Sequence, residues 1–137
     1  MLRLYVAGAY SANNVLDVLK NIGRGRKACA EFFSLGFAPF CPWHDMDFII
    51  MNPEYNFNIK QFRDYCLEYL TVSQVMFILP DSQDHEGVQD EIKLAKELNI
   101  PRFEDKANLI KYKNIKIWIG LIIKRIHFSF VILFLIL

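Results

Sequence analysis

The sequence has no acidic residue after Asp105, and this absence shows how its charge is divided. All 15 acids fall at or before that position, whereas the last 23 residues, from Ile115, carry the cations Lys116, Lys124 and Arg125. Setting those three apart leaves 13 basic against 15 acidic residues, a net of −2 beneath an overall +1. A body of that charge has no electrostatic grip on a phosphate backbone, so no nucleic-acid partner is expected. Cysteine is scarce as well. Cys29, Cys41 and Cys66 are odd in number and widely spaced, with no C-x-x-C pair, which argues against a zinc site and a disulfide framework. Only His44 and His85 precede the tail, on different loops, so neither a catalytic metal nor another cofactor is expected. The dinucleotide fingerprint G-x-G-x-x-G and the Walker A loop are both missing. Met1 to Gly8 is too short an apolar run for a signal peptide, and a reducing cytoplasm is the expected location.

What is present is apolar and ordered. A hydrophobic fraction of 53% and an aromatic fraction of 15% exclude a disordered chain, and 137 residues give room for one domain with one core. Leu2 to Ala7 is a compact β-rich run ending at Gly8, as a buried strand would. A turn follows, in which Asn13 or Asn14 can cap a helix over about Val15 to Leu35, closed by Gly36 as a C′ residue. The pair Gly23 and Gly25 weakens the middle of that helix. Phe37 to Cys41 reads as a second strand, and Trp43 to Asn58 as a long irregular loop covering a site. A helix over Ile59 to Val72, a buried strand over Gln74 to Leu79, a helix over Val88 to Leu98 and a short strand at Arg102-Phe103 complete the pattern. Alternation of this kind predicts a doubly wound, flavodoxin- or Rossmann-like α/β domain with a parallel sheet of four to five strands. The domain is expected over residues 1–107, with a hydrophobic C-terminal extension over 108–137 outside it.

In such a sheet, ligands bind beyond the carboxyl ends of the strands, where the strand order reverses. That brings together the loops Gly8 to Asn14, Pro42 to Asp47 and Pro80 to Gly87. In the third, Gly87 lets a ligand approach the backbone, and Glu91, one turn into the helix, can point back into the same pocket. Alternatively, Asp90 and Glu91 only complement the positive helix end. In the first, Gly8, Tyr10 and Ser11 can set a phenol beside a carboxylate across the crevice, or simply form an ordinary strand-to-helix turn. His44, Asp45 and Asp47 stand where they can contact a base, or form a polar surface loop.

Tyr5-Val6-Ala7-Gly8-Ala9-Tyr10-Ser11, Gly36-Phe37-Ala38-Pro39-Phe40-Cys41-Pro42, Phe77-Ile78-Leu79-Pro80, Gly87-Val88-Gln89-Asp90-Glu91 and Ala95-Lys96-Glu97-Leu98-Asn99-Ile100-Pro101 occur in this order. Over residues 2–104 the chain thereby resembles the nucleoside 2-deoxyribosyltransferase-like superfamily, and within it small phage and bacterial proteins that carry a domain of unknown function. The resemblance implies cleavage of the N-glycosidic bond of a (deoxy)nucleoside or its 5′-monophosphate. Glu91 matches the nucleophile and Tyr10 resembles the tyrosine that orients it. The implied partner is thus a small nucleoside or nucleotide, and the chain is expected to be a homo-oligomer. Two positions depart from the family's pattern. Cys66 stands where a second carboxylate is expected, and a thiol does not replace it as a proton donor at comparable pKa, while Asp64 and Glu68 face other ways on the helix. His85 stands six residues before Glu91, where the family holds the 5′-hydroxyl or a 5′-phosphate. It suits a phosphate, or is a solvated loop residue.

From Ile115, 17 of 23 residues are apolar, but Lys124-Arg125-Ile126-His127 interrupts them and the run Phe128 to Leu137 is too short to span a bilayer. The tail is a poor membrane anchor, an interfacial or subunit-contacting helix, or a non-native extension. The alternatives to an enzyme are a catalytically inactive nucleotide-binding module and a membrane-attached interaction protein.

Overall fold

A computed structural model describes the backbone of residues 1–136 and the side chains of residues 1–123. The chain divides into two units, Met1–Glu104 and Asp105–Leu137. In the first, the strands β1 (Leu2–Ala7), β2 (Phe37–Phe40), β3 (Val75–Ile78) and β4 (Arg102–Phe103) form one parallel sheet in the order β2-β1-β3-β4. The helices of this unit are α1 (Val15–Ser34), α2 (Met46–Met51), α3 (Ile59–Thr71) and α4 (Glu86–Glu97). The connection from β1 runs outward to β2, and the chain then returns past β1 to β3. The order therefore reverses between β1 and β3, which places a crevice at their carboxyl ends. The fold is the doubly wound α/β arrangement that the alternation predicts.

Period-two alternation along β1 assigns its side chains to two layers. Tyr5 and Ala7 join Met76 and Ile78 of β3 against Cys66 and Leu70 of α3 and Val88 and Ala95 of α4. Leu4 and Val6 consequently turn to the other face, the α1 side, where Phe32 packs edge-on against Phe37 and Phe77. All four of Leu4 to Ala7 are fully buried, as a central strand covered on both faces requires.

The helix ends are specified locally. The Asn14 side chain accepts the Asp17 N–H at 3.0 Å, and Gly36 takes a φ of 80° after α1, the left-handed conformation a helix terminator needs. Asn58 and Gln61 form a reciprocal capping box at the start of α3, with bonds of 3.0 and 2.9 Å. The segment expected to be irregular from Trp43 onward holds a 3₁₀ turn (Pro42–His44) and α2. Pro42 has the fixed φ a first helical position favours, and the Phe48 N–H closes onto the Asp45 carbonyl at 2.9 Å. Apart from the turn at Asp45, only residues 52–58 remain without helix there. The fourth helix starts at Glu86 rather than Val88, so Gly87 lies inside its first turn.

Gly25 is the position where the chain requires glycine inside a helix. A Cβ there would lie 2.2 Å from the Trp43 ring, and Trp43 is completely buried. The Trp43 Nε1–H donates to the Ala9 carbonyl at 3.2 Å, and Arg26 donates through Nη2 to the Trp43 carbonyl at 2.9 Å. The indole thus ties α1 to the loops after β1 and β2.

The second unit contains α5 (Lys106–Ile136), whose start is capped by the Asp105 carboxylate accepting the Asn108 N–H at 2.8 Å. Ile115, Ile117, Trp118, Ile119, Leu121, Ile122 and Ile123 are exposed. Among the described residues no helix is long and apolar enough to cross a membrane. The expected interruption at Lys124 to His127 and the run Phe128 to Leu137 lie outside the described side chains.

Two substitutions in α1 should act with opposite sign. Gly23→Ala meets nothing within 4 Å and is expected to stabilise the fold by about 0.5–1 kcal/mol through helix propensity. Gly25→Ala drives a methyl into the indole and is expected to destabilise it by about 1–3 kcal/mol, despite the same propensity gain. Denaturant midpoints of the two variants check both.

Candidate active site

Three loops converge at the carboxyl ends of β1, β2 and β3, and buried polar groups lock them together. The Ser82 hydroxyl, fully buried in the loop after β3, accepts the Ala9 N–H at 3.1 Å and an Arg24 Nη2–H at 3.0 Å. It lies 3.3 Å from the Pro80 carbonyl, to which it donates and which Arg24 also binds. Gly8 allows this close convergence, since a Cβ would stand 2.7 Å from Leu79 Cδ1 and 3.0 Å from the Trp43 ring. Neither Ser82 nor Arg24 is marked by any motif.

Beyond these loops lies a cavity of about 500 Å³. Of the sequence candidates, Gly8, Tyr10, Ser11, Cys66, His85, Gly87 and Glu91 line it. Apolar walls come from Val18, Ile49, Phe57, Ile59 and Phe62, and the polar remainder includes Asp45, Asn58 and Arg63. Gly87 faces open space, because a Cβ there would meet nothing within 4 Å. At the mouth, Arg63 makes a two-pronged pair with Glu86, with both N–H···O distances 3.0 Å. Both side chains are exposed, so the pair is screened and contributes little to stability.

Glu91 is strongly perturbed by its surroundings. Its Oε1 accepts a 2.6 Å hydrogen bond from the Tyr5 hydroxyl, while its Oε2 is enclosed and has no partner. The residue as a whole keeps partial exposure, but the carboxyl itself is out of water. Burial pushes its pKa up to about 8, opposed by the Tyr5 bond and reinforced by neighbouring Asp90. Tyr5, wholly buried, is held protonated well above the ordinary phenol range by the same burial and by the Glu91 charge. Cys66 lies beside that phenol, and burial followed by the charges of Glu91 and Asp45 pushes its thiol up to about 12. It is a neutral thiol at physiological pH and not a nucleophile.

The phenol on Glu91 thus belongs to Tyr5, a residue of β1 that the sequence placed only in the core. Tyr10 faces a different carboxyl, that of Asp45. Its pKa is raised first by burial and then by the Asp45 charge and hydrogen bond. Asp45 is 7% exposed, and its Oδ1 has no partner. Burial raises its pKa above the usual carboxylate range, against the lowering effects of the Tyr10 bond, the Met46 N–H and the Arg26 charge.

His44 and Asp47 lie elsewhere. They line a neighbouring hollow of about 670 Å³ together with Arg26, Phe48, Tyr65 and Tyr69, and Asp45 belongs to both spaces. Asp47 pairs with Arg26 at 3.0 Å on the surface. Among the described residues, no group of three or more His, Cys, Asp and Glu side chains is placed to hold a metal ion.

No family profile matches the chain, and no curated protein does. Among solved structures it is similar to the 2-deoxyribosyltransferase of the psychrotolerant bacterium Bacillus psychrosaccharolyticus. The two are 20% identical, over 73% of this chain and 69% of that one, with a TM-score of 0.49. This is a remote likeness of fold.

The Glu91 environment makes stability depend on pH with a definite sign. A carboxyl at about 8 when folded, against about 4.5 in the unfolded chain, binds more protons in the native state between those values. Its contribution is complete below about pH 4.5 and is lost as pH rises through about 8. Glu91→Gln is therefore expected to gain stability relative to the native chain as pH climbs across that window, which paired urea titrations at several pH values check. Tyr5→Phe removes a bond that lowers the Glu91 pKa, so the same window should extend to higher pH.

Proposed function

We propose that residues 1–107 form an enzyme that cleaves the N-glycosidic bond of a (deoxy)nucleoside or its 5′-monophosphate, with Glu91 as the nucleophile. One observation carries this reading: Glu91, which lines a cavity of nucleotide-compatible size, has its carboxyl fixed through Oε1 by a buried phenol and its Oε2 buried and unpartnered. A nucleophile must present one free oxygen in a set direction, and this arrangement supplies it. The dry surroundings strengthen its interaction with a developing oxocarbenium-like centre. At about pKa 8 the carboxyl is largely protonated at neutral pH, so attack requires its ionised fraction or a cationic substrate centre that lowers the pKa on binding. His85 and Arg63 stand near the start of α4, whose free N–H groups favour an anion, which suits a 5′-phosphate.

The second reading is a nucleotide-binding module without turnover. It is favoured by Cys66, a neutral thiol at the position where the resembled family has an acid.

The discriminating assay incubates the purified full chain with deoxynucleosides and their 5′-monophosphates and follows free base by chromatography. Base release that falls to background in Glu91→Gln is the expected result. A folded protein that binds a nucleotide and releases no base establishes the module instead.

A further inference from the structure

We infer that Asp45 is the second carboxylate of the site, the group that hydrogen-bonds and protonates the departing base, and so replaces the acid missing at Cys66. This rests on the glycosidase reading of Glu91. Among the described residues, the buried side-chain polar atoms left without a hydrogen-bond partner are Glu91 Oε2 and Asp45 Oδ1, and both residues line the same cavity. An orphaned buried carboxylate oxygen costs free energy that a fold does not retain without use, because a donor or an apolar replacement would remove the cost. Two carboxyl groups, each with an unpartnered oxygen, among the residues lining one cavity fit the division of roles in glycoside chemistry, with one carboxyl to attack and one to assist the leaving group.

The topology puts them on different walls. Asp45 follows β2 and Glu91 follows β3, with β1 between the two strands. A base leaving a sugar held over Glu91 departs away from that carboxyl, and the β2 side is a free direction. Asp45 is also held. The Tyr10 phenol meets its carboxyl, the Met46 N–H donates to it, and Trp43, two residues earlier, is clamped between Gly25, Gly8 and the Ala9 carbonyl. Arg26, on α1, lies near enough to favour its charge, while Asp47 opposes that charge. In the step proposed, the C–N bond electrons pass to the base and the Asp45 proton goes to a base ring nitrogen. The Glu91 carboxylate forms the C–O bond at the anomeric carbon, and Asp45 is left ionised. Water then cleaves the ester or an acceptor base takes the sugar, which restores both groups.

The test compares deoxyguanosine with 7-methyl-deoxyguanosine, whose base is already cationic and leaves without a proton. Asp45→Asn in the full chain is expected to lower kcat/KM for deoxyguanosine by roughly 10²–10⁴-fold. It should leave 7-methyl-deoxyguanosine within a few-fold of the unmodified protein. An equal loss on both substrates, or no loss on either, overturns the assignment while leaving Glu91 as nucleophile, provided Glu91→Gln still abolishes both. If the unmodified protein cleaves neither, the glycosidase reading fails and Asp45's role fails with it. Thermal unfolding of Asp45→Asn controls for misfolding. If that variant does not fold, Asp45→Glu, which keeps an acid one methylene displaced, should show the same selective loss on the neutral base.

Discussion

The placement of the site depends on one buried indole. Trp43 has no contact with solvent, fills the space left by Gly25 and Gly8, and spends its only hydrogen-bond donor on the Ala9 carbonyl. Because it joins α1, the loop after β1 and the turn after β2, those three segments cannot move independently. Asp45 and Tyr10 are carried by the segments so joined, and Ser82 makes the equivalent junction to the loop after β3. A cavity whose polar groups sit on three loops keeps its geometry only if the loops are fixed to each other as firmly as to the sheet.

Electrostatics follow from that packing. Once the loops close over α3 and α4, Glu91, Cys66, Tyr5 and Tyr10 all lose water, and every one of them shifts toward its neutral form. The cavity holds acids that resist ionisation beside phenols and a thiol that resist it more. Such a set binds little fixed charge at rest and responds strongly to a ligand that brings positive charge. That is the electrostatic setting in which an oxocarbenium-like centre is favoured.

Much of the fold was legible because it is written locally. The continuous apolar run of β1, the cap at Asn14 and the terminator at Gly36 need only neighbours within a few residues, and the strand and helix positions follow from them. The convergence of Gly8, Tyr10, Cys66, His85, Gly87 and Glu91 was legible through topology, since carboxyl ends of parallel strands meet wherever the order reverses. What escaped was long-range pairing. That Tyr5 rather than Tyr10 meets Glu91 depends on an 86-residue separation, and nothing around Tyr5 distinguishes it from a core aromatic. Gly25 read as a weakness in a helix because the residue that needs it is 18 positions away. The polar turn at His44 to Asp47 could not be divided between two adjacent hollows before α2 was known to form.

Strand β1 carries two duties on alternate residues. Leu4 and Val6 serve the α1 layer, and Tyr5 holds the buried Glu91 carboxyl by a hydrogen bond. A one-residue slip of this strand against β2 and β3 would exchange the layers, burying a hydroxyl among phenylalanines and presenting an aliphatic chain to Glu91. An insertion or deletion within Leu2 to Tyr5 that moved the register would disturb the packing of both layers and the Tyr5–Glu91 bond together.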